Sequence, residues 1–257
     1  MKKLLLLLLP LLLLSCNNIS SSSSDGHNPD EIYDYVPEEI VKEAYRYCRN
    51  HNYNTDICVF VNFSITSDMN RFFVYDFDDR EILIKSFCAH GYGKGSTTET
   101  PVFSNEVGSY CSSIGKYVIS GYRKMVRIDE NCFELKGLDS TNSNAYRRGI
   151  LIHPSYLVDL CQFSNGVSYI PLGLTSQGCF SINHNALEEL AKLYQAQRNK
   201  RVLLYAFTTE WIDLFDTNKY KYEKAQMKGE CAESRHFHNH EMVKSEQFNA
   251  INRKLHN

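Results

Sequence analysis

Thr175-Ser176-Gln177-Gly178-Cys179-Phe180-Ser181-Ile182 is the stretch around which this chain is organised. A glycine directly before Cys179 allows a tight backbone turn and a close approach to a ligand. Backbone amides at such a turn can stabilise a developing oxyanion, and we expect them to come from Gly178, Cys179 and Gln177. This pattern is typical of a reactive thiol and predicts Cys179 as a nucleophile.

A second stretch, Arg148-Gly149-Ile150-Leu151-Ile152-His153, is largely apolar and predicts a buried strand that ends at His153. A thiol needs a base to become a thiolate at neutral pH, and an imidazole can supply it. We therefore predict His153 as the base for Cys179. A single Cys or His is more often structural, so the prediction depends on the fold bringing the two together.

A wider set of residues carries a resemblance to a known family. Ser176-Gln177-Gly178-Cys179 resembles the Ser-x-Gly-Cys motif of the YkuD-like L,D-transpeptidases, and His153 stands where that family has its catalytic histidine. The branch called the murein L,D-transpeptidase catalytic domain family is similar over roughly residues 60 to 207, in an ordered set more specific than a lone Gly-Cys. The matching segments upstream of His153 are 70–76, 89–91, 103–105, 108–109, 113–117, 135–138 and 142–145.

The resemblance implies acyl transfer on peptidoglycan stem peptides through a thioester on Cys179. If water replaces the acceptor amine, the same site is an L,D-carboxypeptidase, and the motif residues do not separate the two outcomes. A backbone carbonyl just after the histidine, here that of Pro154 or Ser155, is implied as the partner of its second ring nitrogen. No metal or organic cofactor is implied. The candidate substrate-binding residues are Ser176, Tyr156, Arg148 and Asn144, with a packing role as the alternative for Tyr156.

Three places depart from the family's pattern. Gln177 stands where many members have His or Trp, and Phe180-Ser181 replaces the Ile/Val-Arg or Pro-Ala that often follows the cysteine. Pro154 replaces a glycine that commonly follows the histidine. The first two places concern substrate contacts more than the nucleophile, so they bear on the identity of the acceptor.

Two other functional classes stay open. Other cysteine hydrolases, such as cell-wall amidases and papain-like peptidases, usually place the cysteine before the histidine, whereas His153 precedes Cys179 here. A non-catalytic envelope lipoprotein that binds peptidoglycan would keep the fold without needing the thiol.

The N-terminal sequence is typical of a targeting segment. Lys2 and Lys3 precede an apolar run of signal-peptide length, which predicts a signal peptide over residues 1–15. Leu13-Leu14-Ser15-Cys16 resembles a bacterial lipobox and implies lipidation of Cys16, with an ordinary signal peptide as the alternative. We expect an anchored lipoprotein of the cell envelope, facing the periplasm or the extracellular side. The serine-rich remainder of 16–36 predicts a polar tether.

Composition is that of an ordinary globular protein, with 43% hydrophobic and 23% charged residues. The net charge of −2 argues against a nucleic-acid partner, which would require a basic face. We expect a monomer whose catalytic domain spans residues 37–207. The C-terminal extension, 208–257, is predicted to be partly helical or disordered, with a possible short helix at 211–215.

Short β-rich runs without alternating long helices predict a mostly β domain with a few peripheral helices, and the resemblance implies a β-sandwich-like form. The segment 154–175 is predicted to pass over the cleft. Asn185, with Glu188 three residues on, is the predicted N-cap of a late helix. Strands are predicted at 58–63, 71–77, 81–87, 116–120, 126–128, 132–135, 149–153 and 201–207, and an early helix at 37–50.

The remaining Cys and His residues have both structural and functional interpretations. The nine cysteines include no CxxC pair, which argues against a zinc site, and they are either partly disulfide-bonded or mostly buried thiols. His90 is predicted to be structural rather than a second catalytic histidine, and His184 to lie at the surface. The alternating His236, His238 and His240 are predicted to belong to a tail rather than a metal site.

Overall fold

The computed structural model describes residues 28–93, 95–126, 128–164, 169–171 and 175–208. The predicted signal peptide, Cys16, the serine-rich run and the tail histidines lie outside these residues. None of the described helices has the length and apolar character needed to cross a membrane.

The prediction of a mostly β domain is confirmed. In the described part of the chain, eight strands form one hydrogen-bonded sheet in the order β3-β2-β1-β8-β4-β5-β6-β7. Most neighbours are antiparallel, whereas β1 pairs with β8, and β6 with β7, in parallel. The strands are β1 Ile57–Asn62, β2 Phe72–Asp76, β3 Glu81–Ser86, β4 Gly115–Met125, β5 Glu130–Gly137, β6 Leu151–Pro154, β7 Phe180–Ile182 and β8 Leu203–Phe207.

Helix α1, Glu38–His51, covers one side of the sheet near β1 and β8. Pro37 precedes its first turn, where a missing N–H costs nothing, and the C-cap Asn52 adopts the left-handed conformation. Its buried residues Val41, Ala44 and Cys48 join a core cluster with alternate residues of β1 and β2. A 3-10 helix, Glu31–Asp34, adds Ile32 to the same cluster.

The opposite face of the sheet curls around the main core. Helix α4, His184–Ala196, contacts both β3 and β6, which lie towards opposite ends of the strand order. Its Leu187, Leu190 and Tyr194 are buried in one cluster with residues from all eight strands. The two remaining helices, α2 Ala145–Arg148 and α3 Tyr156–Phe163, flank β6 on either side along the chain.

Three local predictions are corrected. Residues Val126 and Ile128, predicted as strand, lie in the turn that joins β4 to β5, because the ladder already ends at the Met125–Glu130 pair. The N-cap of α4 is Asn183, whose Oδ1 accepts a hydrogen bond from Ala186 N at 2.7 Å. The segment after His153, predicted as a loop-like excursion over the cleft, contains helix α3.

The seven cysteines that the structure describes are all thiols, which favours the second of the two interpretations offered by the sequence. Six of them are buried, and Cys179 alone among these seven is only partly buried. Burial raises the pKa of Cys48, Cys88 and Cys132 to about 12, so these thiols are protonated and unreactive at neutral pH.

Candidate active site

Cys179 sits at a glycine turn immediately before β7. Gly178 has φ +112°, in the left-handed region that side chains rarely adopt. A Cβ at Gly178 would also lie 2.6 Å from the Cys111 carbonyl oxygen and 3.0 Å from Arg148 Nη2. The Cys179 thiol donates to the Gly149 carbonyl at 3.6 Å. The glycine is therefore required both by backbone conformation and by crowding at the nucleophile.

Ser176 orders this turn from within. Its Oγ accepts from Gly178 N at 3.0 Å and donates to the Cys179 carbonyl at 2.7 Å. Ser176 is 4% exposed, so its hydroxyl is committed to the turn rather than presented to the cleft. The hydrogen bond to Ser176 also engages the Gly178 amide that the sequence suggested as an oxyanion donor.

Two further backbone segments pack against the turn. A Cβ on Gly91 would lie 2.2 Å from the Tyr110 carbonyl oxygen and 2.8 Å from Gly178 N. Ser112 Oγ accepts from Gly91 N at 3.0 Å and donates to the Gly178 carbonyl at 3.3 Å. The rings of Tyr92 and Tyr110 stack at 5.1 Å beside this junction. Close backbone approach thus holds the nucleophile turn in one position.

His153 lies on β6, next to the strand that follows the nucleophile. Ile152 pairs with Phe180 and His153 with Ser181 in the parallel ladder. Ile152 and Phe180 are both buried in the main core, so the alternating His153, Cys179 and Ser181 lie on the other face. From strand spacing and rise, the Cα atoms of His153 and Cys179 are roughly 8 Å apart. The fold therefore brings the two sequence-predicted residues onto one face of neighbouring strands.

The imidazole is oriented by its own strand end. His153 Nδ1 lies 2.9 Å from the Pro154 carbonyl oxygen, one of the two carbonyls that the resemblance implied. Because a carbonyl can only accept, Nδ1 carries the proton and Nε2 has the lone pair. Desolvation lowers the pKa of His153 below its ordinary 6.5, although the Pro154 hydrogen bond and the Glu130 charge partly oppose this effect. The ring is consequently a neutral base at physiological pH.

A carboxylate missed by the sequence reasoning lies near this histidine. By extension of the β5–β6 ladder, Cys132 lies opposite His153, and Glu130 is two residues away on the same face. His184 Nε2 lies 3.6 Å from Glu130 Oε1, while His184 Nδ1 lies 2.6 Å from Asp159 Oδ2. His184, whose side chain is 39% exposed, therefore lies at the surface as predicted and also links β5 to α3. No local signal predicts this group, because it depends on which strands pair.

Arg148 and Asn144, two predicted substrate contacts, are engaged within the protein. Asn144 Nδ2 donates to the Asn105 carbonyl at 3.0 Å, and its backbone N–H donates to Asn105 Oδ1 at 2.9 Å. Arg148 Nη1 donates to the Ser104 carbonyl at 2.8 Å, and Nη2 to the Cys111 carbonyl. Both side chains tie the 104–111 segment to the region that precedes β6.

Gln177 and Tyr156 face solvent. Gln177 is exposed in the nucleophile turn, and Tyr156, the first residue of α3, is 49% exposed. These two predicted contacts are accessible to a ligand at the protein surface, in contrast to Ser176 and Asn144.

His90 is structural, as predicted. It is 1% exposed, and its Nε2 donates to the Thr97 carbonyl at 2.8 Å while its Nδ1 accepts from Arg71 Nη2 at 2.8 Å. Arg71 is fully buried and also donates to the carbonyls of Cys88 and Ile65. Burial and the Arg71 charge lower the pKa of His90 to about 3, so the ring is neutral.

The site contains a thiol and an imidazole, which can perform nucleophilic acyl transfer without a metal. Within the described part of the chain, no group of three His, Cys, Asp or Glu side chains is placed to hold a metal ion.

Comparisons with known proteins give one family match and several similar solved structures. The chain matches the family described as L,D-transpeptidase catalytic domain over residues 33–206, and no curated protein matches it. Similar solved structures include L,D-transpeptidases from Stackebrandtia nassauensis (13% identity, 59% of this chain and 55% of that chain, TM-score 0.30) and Mycobacterium smegmatis (11%, 59% and 58%, 0.31). Another is from Mycobacterium tuberculosis H37Rv (14%, 59% and 57%, 0.30). The chain thus spans 55% to 58% of the length of these three solved chains. Because the family match covers more than half of its residues, the protein belongs to the L,D-transpeptidase catalytic domain family.

Proposed function

We propose that the protein transfers an acyl group from a peptidoglycan stem peptide through a thioester on Cys179, with His153 as the general base. The observation that carries the proposal is that β6, which contains His153, pairs with β7, which directly follows Cys179. Both residues lie on the face of the sheet opposite to the main core. Membership of the family supports the reaction type. The partly buried Cys179 differs from the six enclosed thiols in being accessible to a substrate.

The proposed reaction has two acyl-transfer steps. His153 Nε2 takes the proton from Cys179 Sγ, and the thiolate attacks the carbonyl carbon between an L-centre and the terminal D-residue. The tetrahedral intermediate collapses as the C–N bond breaks, and the imidazolium returns the proton to the departing amine. The acyl group then remains on sulfur as a thioester. An acceptor amine attacks this thioester, loses a proton to His153, and leaves with the acyl group as a cross-link while the thiol re-forms.

The turn supplies the electrostatic part of the mechanism. The Cys179 amide is adjacent to the attacking sulfur and is our expected oxyanion donor, with Gln177 beside it. A contact from the Gly178 amide would require the Ser176 hydroxyl to be displaced. We therefore assign Ser176 to ordering the turn and keep Gly178 for its backbone conformation. One such donor is worth about 3 kcal/mol of transition-state stabilisation in studied acyl-transfer sites.

Exposed side chains around the turn are the proposed substrate contacts. Gln177 and Tyr156 retain this role because both are exposed. The stacked Tyr92 and Tyr110 add an aromatic surface beside the same turn. Asn144, whose amide is used on Asn105, is reassigned to holding that loop.

Product analysis with tetrapeptide muropeptides tests the function. The full-length protein, in detergent, is expected to form cross-linked dimers from them. Tripeptide products alone would identify an L,D-carboxypeptidase, and absence of both would contradict the enzyme proposal. Cys179→Ala should abolish product formation, whereas Cys48→Ala, which removes a buried thiol on α1, should retain it. Full wall-modifying activity in Cys179→Ala would indicate a non-catalytic binding protein.

A carbapenem offers an independent probe of the thiol. Its strained amide should acylate Cys179 and add the mass of the whole inhibitor to the peptide that contains this residue. The Cys179→Ala variant should show no adduct. A wild-type protein that turns over muropeptides without forming this adduct would exclude the proposed nucleophile.

We further propose that lipid on Cys16 anchors the protein to an envelope membrane, with its catalytic domain in the periplasm or outside the cell. The support is the lipobox-like sequence before Cys16 and the serine-rich run after it. Metabolic labelling with a clickable fatty acid should label the wild type and not Cys16→Ala. Equal labelling of both proteins would contradict the anchor.

A further inference from the structure

Arg148 makes more internal contacts than a substrate-binding residue would need. Its Nη1 donates to the Ser104 carbonyl at 2.8 Å and lies 3.3 Å from Ser113 Oγ. Its Nη2 donates to the Cys111 carbonyl and lies 3.4 Å from Ser109 Oγ. The planar guanidinium therefore spans one loop at four points, which a lysine could not reproduce.

The same guanidinium borders the nucleophile turn. Arg148 Nη2 would lie 3.0 Å from a Cβ on Gly178, the residue before Cys179. The Cys179 thiol contacts the carbonyl of Gly149, the residue after Arg148, at 3.6 Å. The residue pairs Arg148-Gly149 and Gly178-Cys179 thus face each other, and the cation and the sulfur occupy the same small region.

The charges in this region favour a thiolate. Burial lowers the pKa of Arg148, while negative charge on Tyr117, Cys111 or Cys179 would raise it. Because electrostatic interaction is reciprocal, the Arg148 cation must favour the ionised form of Cys179. Among the described residues, Tyr117 on β4 and Cys132 on β5 also interact electrostatically with Cys179, and His153 lies nearby on β6. None of these three side chains carries a positive charge at neutral pH.

We propose that Arg148 is a positioning residue that clamps the 104–113 segment against the nucleophile turn, and that its positive charge stabilises the Cys179 thiolate formed when His153 takes the proton. This inference rests on the proposed function only in taking Cys179 as the nucleophile. It replaces the substrate-binding role suggested by the sequence, because the guanidinium is already bonded on both nitrogens that face the loop.

The pH dependence of Cys179 alkylation tests this role without requiring any enzymatic activity. Full-length protein is treated with iodoacetamide over a pH series, and modification of the Cys179 peptide is measured by mass spectrometry. Since the thiolate is the reacting species, Arg148→Met should slow alkylation about tenfold near neutral pH and move its rise to higher pH. Arg148→Lys, which keeps the charge but not the four contacts with the loop, should recover part of this rate and react faster than Arg148→Gln. Arg147→Met removes the same charge from the exposed neighbouring residue and should match the wild type.

The outcomes separate the inference from the proposed function. A folded Arg148→Met protein with the wild-type pH profile would overturn the role of Arg148 and leave the nucleophile unaffected. Failure of wild-type Cys179 to react would instead contradict the proposed function. If Arg148→Met does not fold, Arg148→Gln keeps a donor for the Cys111 carbonyl but no charge, and it should show the same loss. A slow rate in Arg148→Lys equal to that in Arg148→Gln would also overturn the charge argument.

Discussion

His153 on β6 is the register partner of Ser181 on β7, and Ser181 lies two residues beyond Cys179. This pairing orients the imidazole towards the same face as the thiol through main-chain hydrogen bonds alone. Because a register slip of one residue would move each side chain to the opposite face, the β6–β7 ladder determines whether the site exists.

The lowered pKa of His153 predicts the pH below which the rate of Cys179 acylation decreases. Burial lowers the pKa of this group, and the neutral ring is the active base above that pKa. Cys179 acylation by a carbapenem should therefore lose rate only below pH 6.5, the ordinary value for histidine. His153→Gln should slow acylation by about 100-fold or more. Stopped-flow or mass-spectrometric rates across pH provide the measurement, and an acid limb above 6.5 would contradict the assignment.

Removal of the Glu130 charge should shift the acid limb of the pH–rate profile in a known direction. Its charge raises the pKa of His153, partly offsetting burial. Glu130→Gln should therefore lower the pKa of the base and move the acid limb of the same rate profile to more acidic pH. Glu134→Gln is the matched control, since this carboxylate on the same strand pairs with Arg123 at 2.6 Å. A limb that stays in place or moves to higher pH in Glu130→Gln would rule out the electrostatic link.

Alanine substitutions at Gly178 and Gly108 distinguish the effect of backbone strain from the effect of crowding around the added Cβ. Both have positive φ, +112° and +81°, but a Cβ on Gly108 meets nothing within 4 Å. Gly178→Ala should displace the nucleophile and reduce acylation about 100-fold, because misplacement of even about 1 Å has effects of this size. Gly108→Ala should lose stability modestly, by about 1 kcal/mol, and keep its acylation rate. Comparable acylation rates in the two variants would contradict the tight packing at the turn.

Ser181 predicts an unusual result in a stability experiment. Its hydroxyl is buried and has no hydrogen-bond partner among the described residues. An unpaired buried hydroxyl costs about 1–3 kcal/mol, so Ser181→Ala should leave the free energy of unfolding unchanged or raise it. Ser112→Ala should lower it by about 1 kcal/mol, because equally buried Ser112 bonds Gly91 and Gly178. Urea titration of both variants is the measurement, and equal losses would mean that Ser181 has a partner such as bound water.

Local sequence signals predicted the elements whose causes are local. Helix α1 follows from Pro37 and its apolar spacing, and the β2–β3 hairpin follows from two β-rich runs around a polar turn. The strand-end placement of His153 is also local, because the apolar run ends there. The prediction at Val126 and Ile128 was wrong because β propensity describes packing on a sheet, and these residues lie beyond the end of the ladder.

The rest of the site depends on contacts between distant parts of the chain. Glu130 reaches the neighbourhood of His153 only because β5 pairs with β6, and strand order cannot be read from composition. Arg148 and Ser176 were predicted to contact the substrate, whereas the fold uses their polar groups internally. At the start of α4, Asn183 and Asn185 are both suitable caps, and tertiary packing selects Asn183.

His90 predicts a loss of stability in acid that is independent of catalysis. Its pKa is lowered to about 3 in the folded protein by burial and Arg71, against an ordinary value of 6.5 in the unfolded chain. As pH falls from 6.5 towards 3, His90 binds a proton in the unfolded state but not in the folded state. The free energy of unfolding therefore decreases. This single group should contribute up to about 1.4 kcal/mol per pH unit. Protonation would also remove the lone pair that accepts from Arg71 Nη2.

Urea titration at several pH values in this window compares the wild type with His90→Gln. The variant should be less stable at neutral pH, because Arg71 loses its imidazole partner, but its stability should depend less steeply on pH. His153 contributes similarly to both proteins, so the difference in slope isolates His90. Parallel curves for the wild type and His90→Gln would show that the buried imidazole does not control the acid sensitivity.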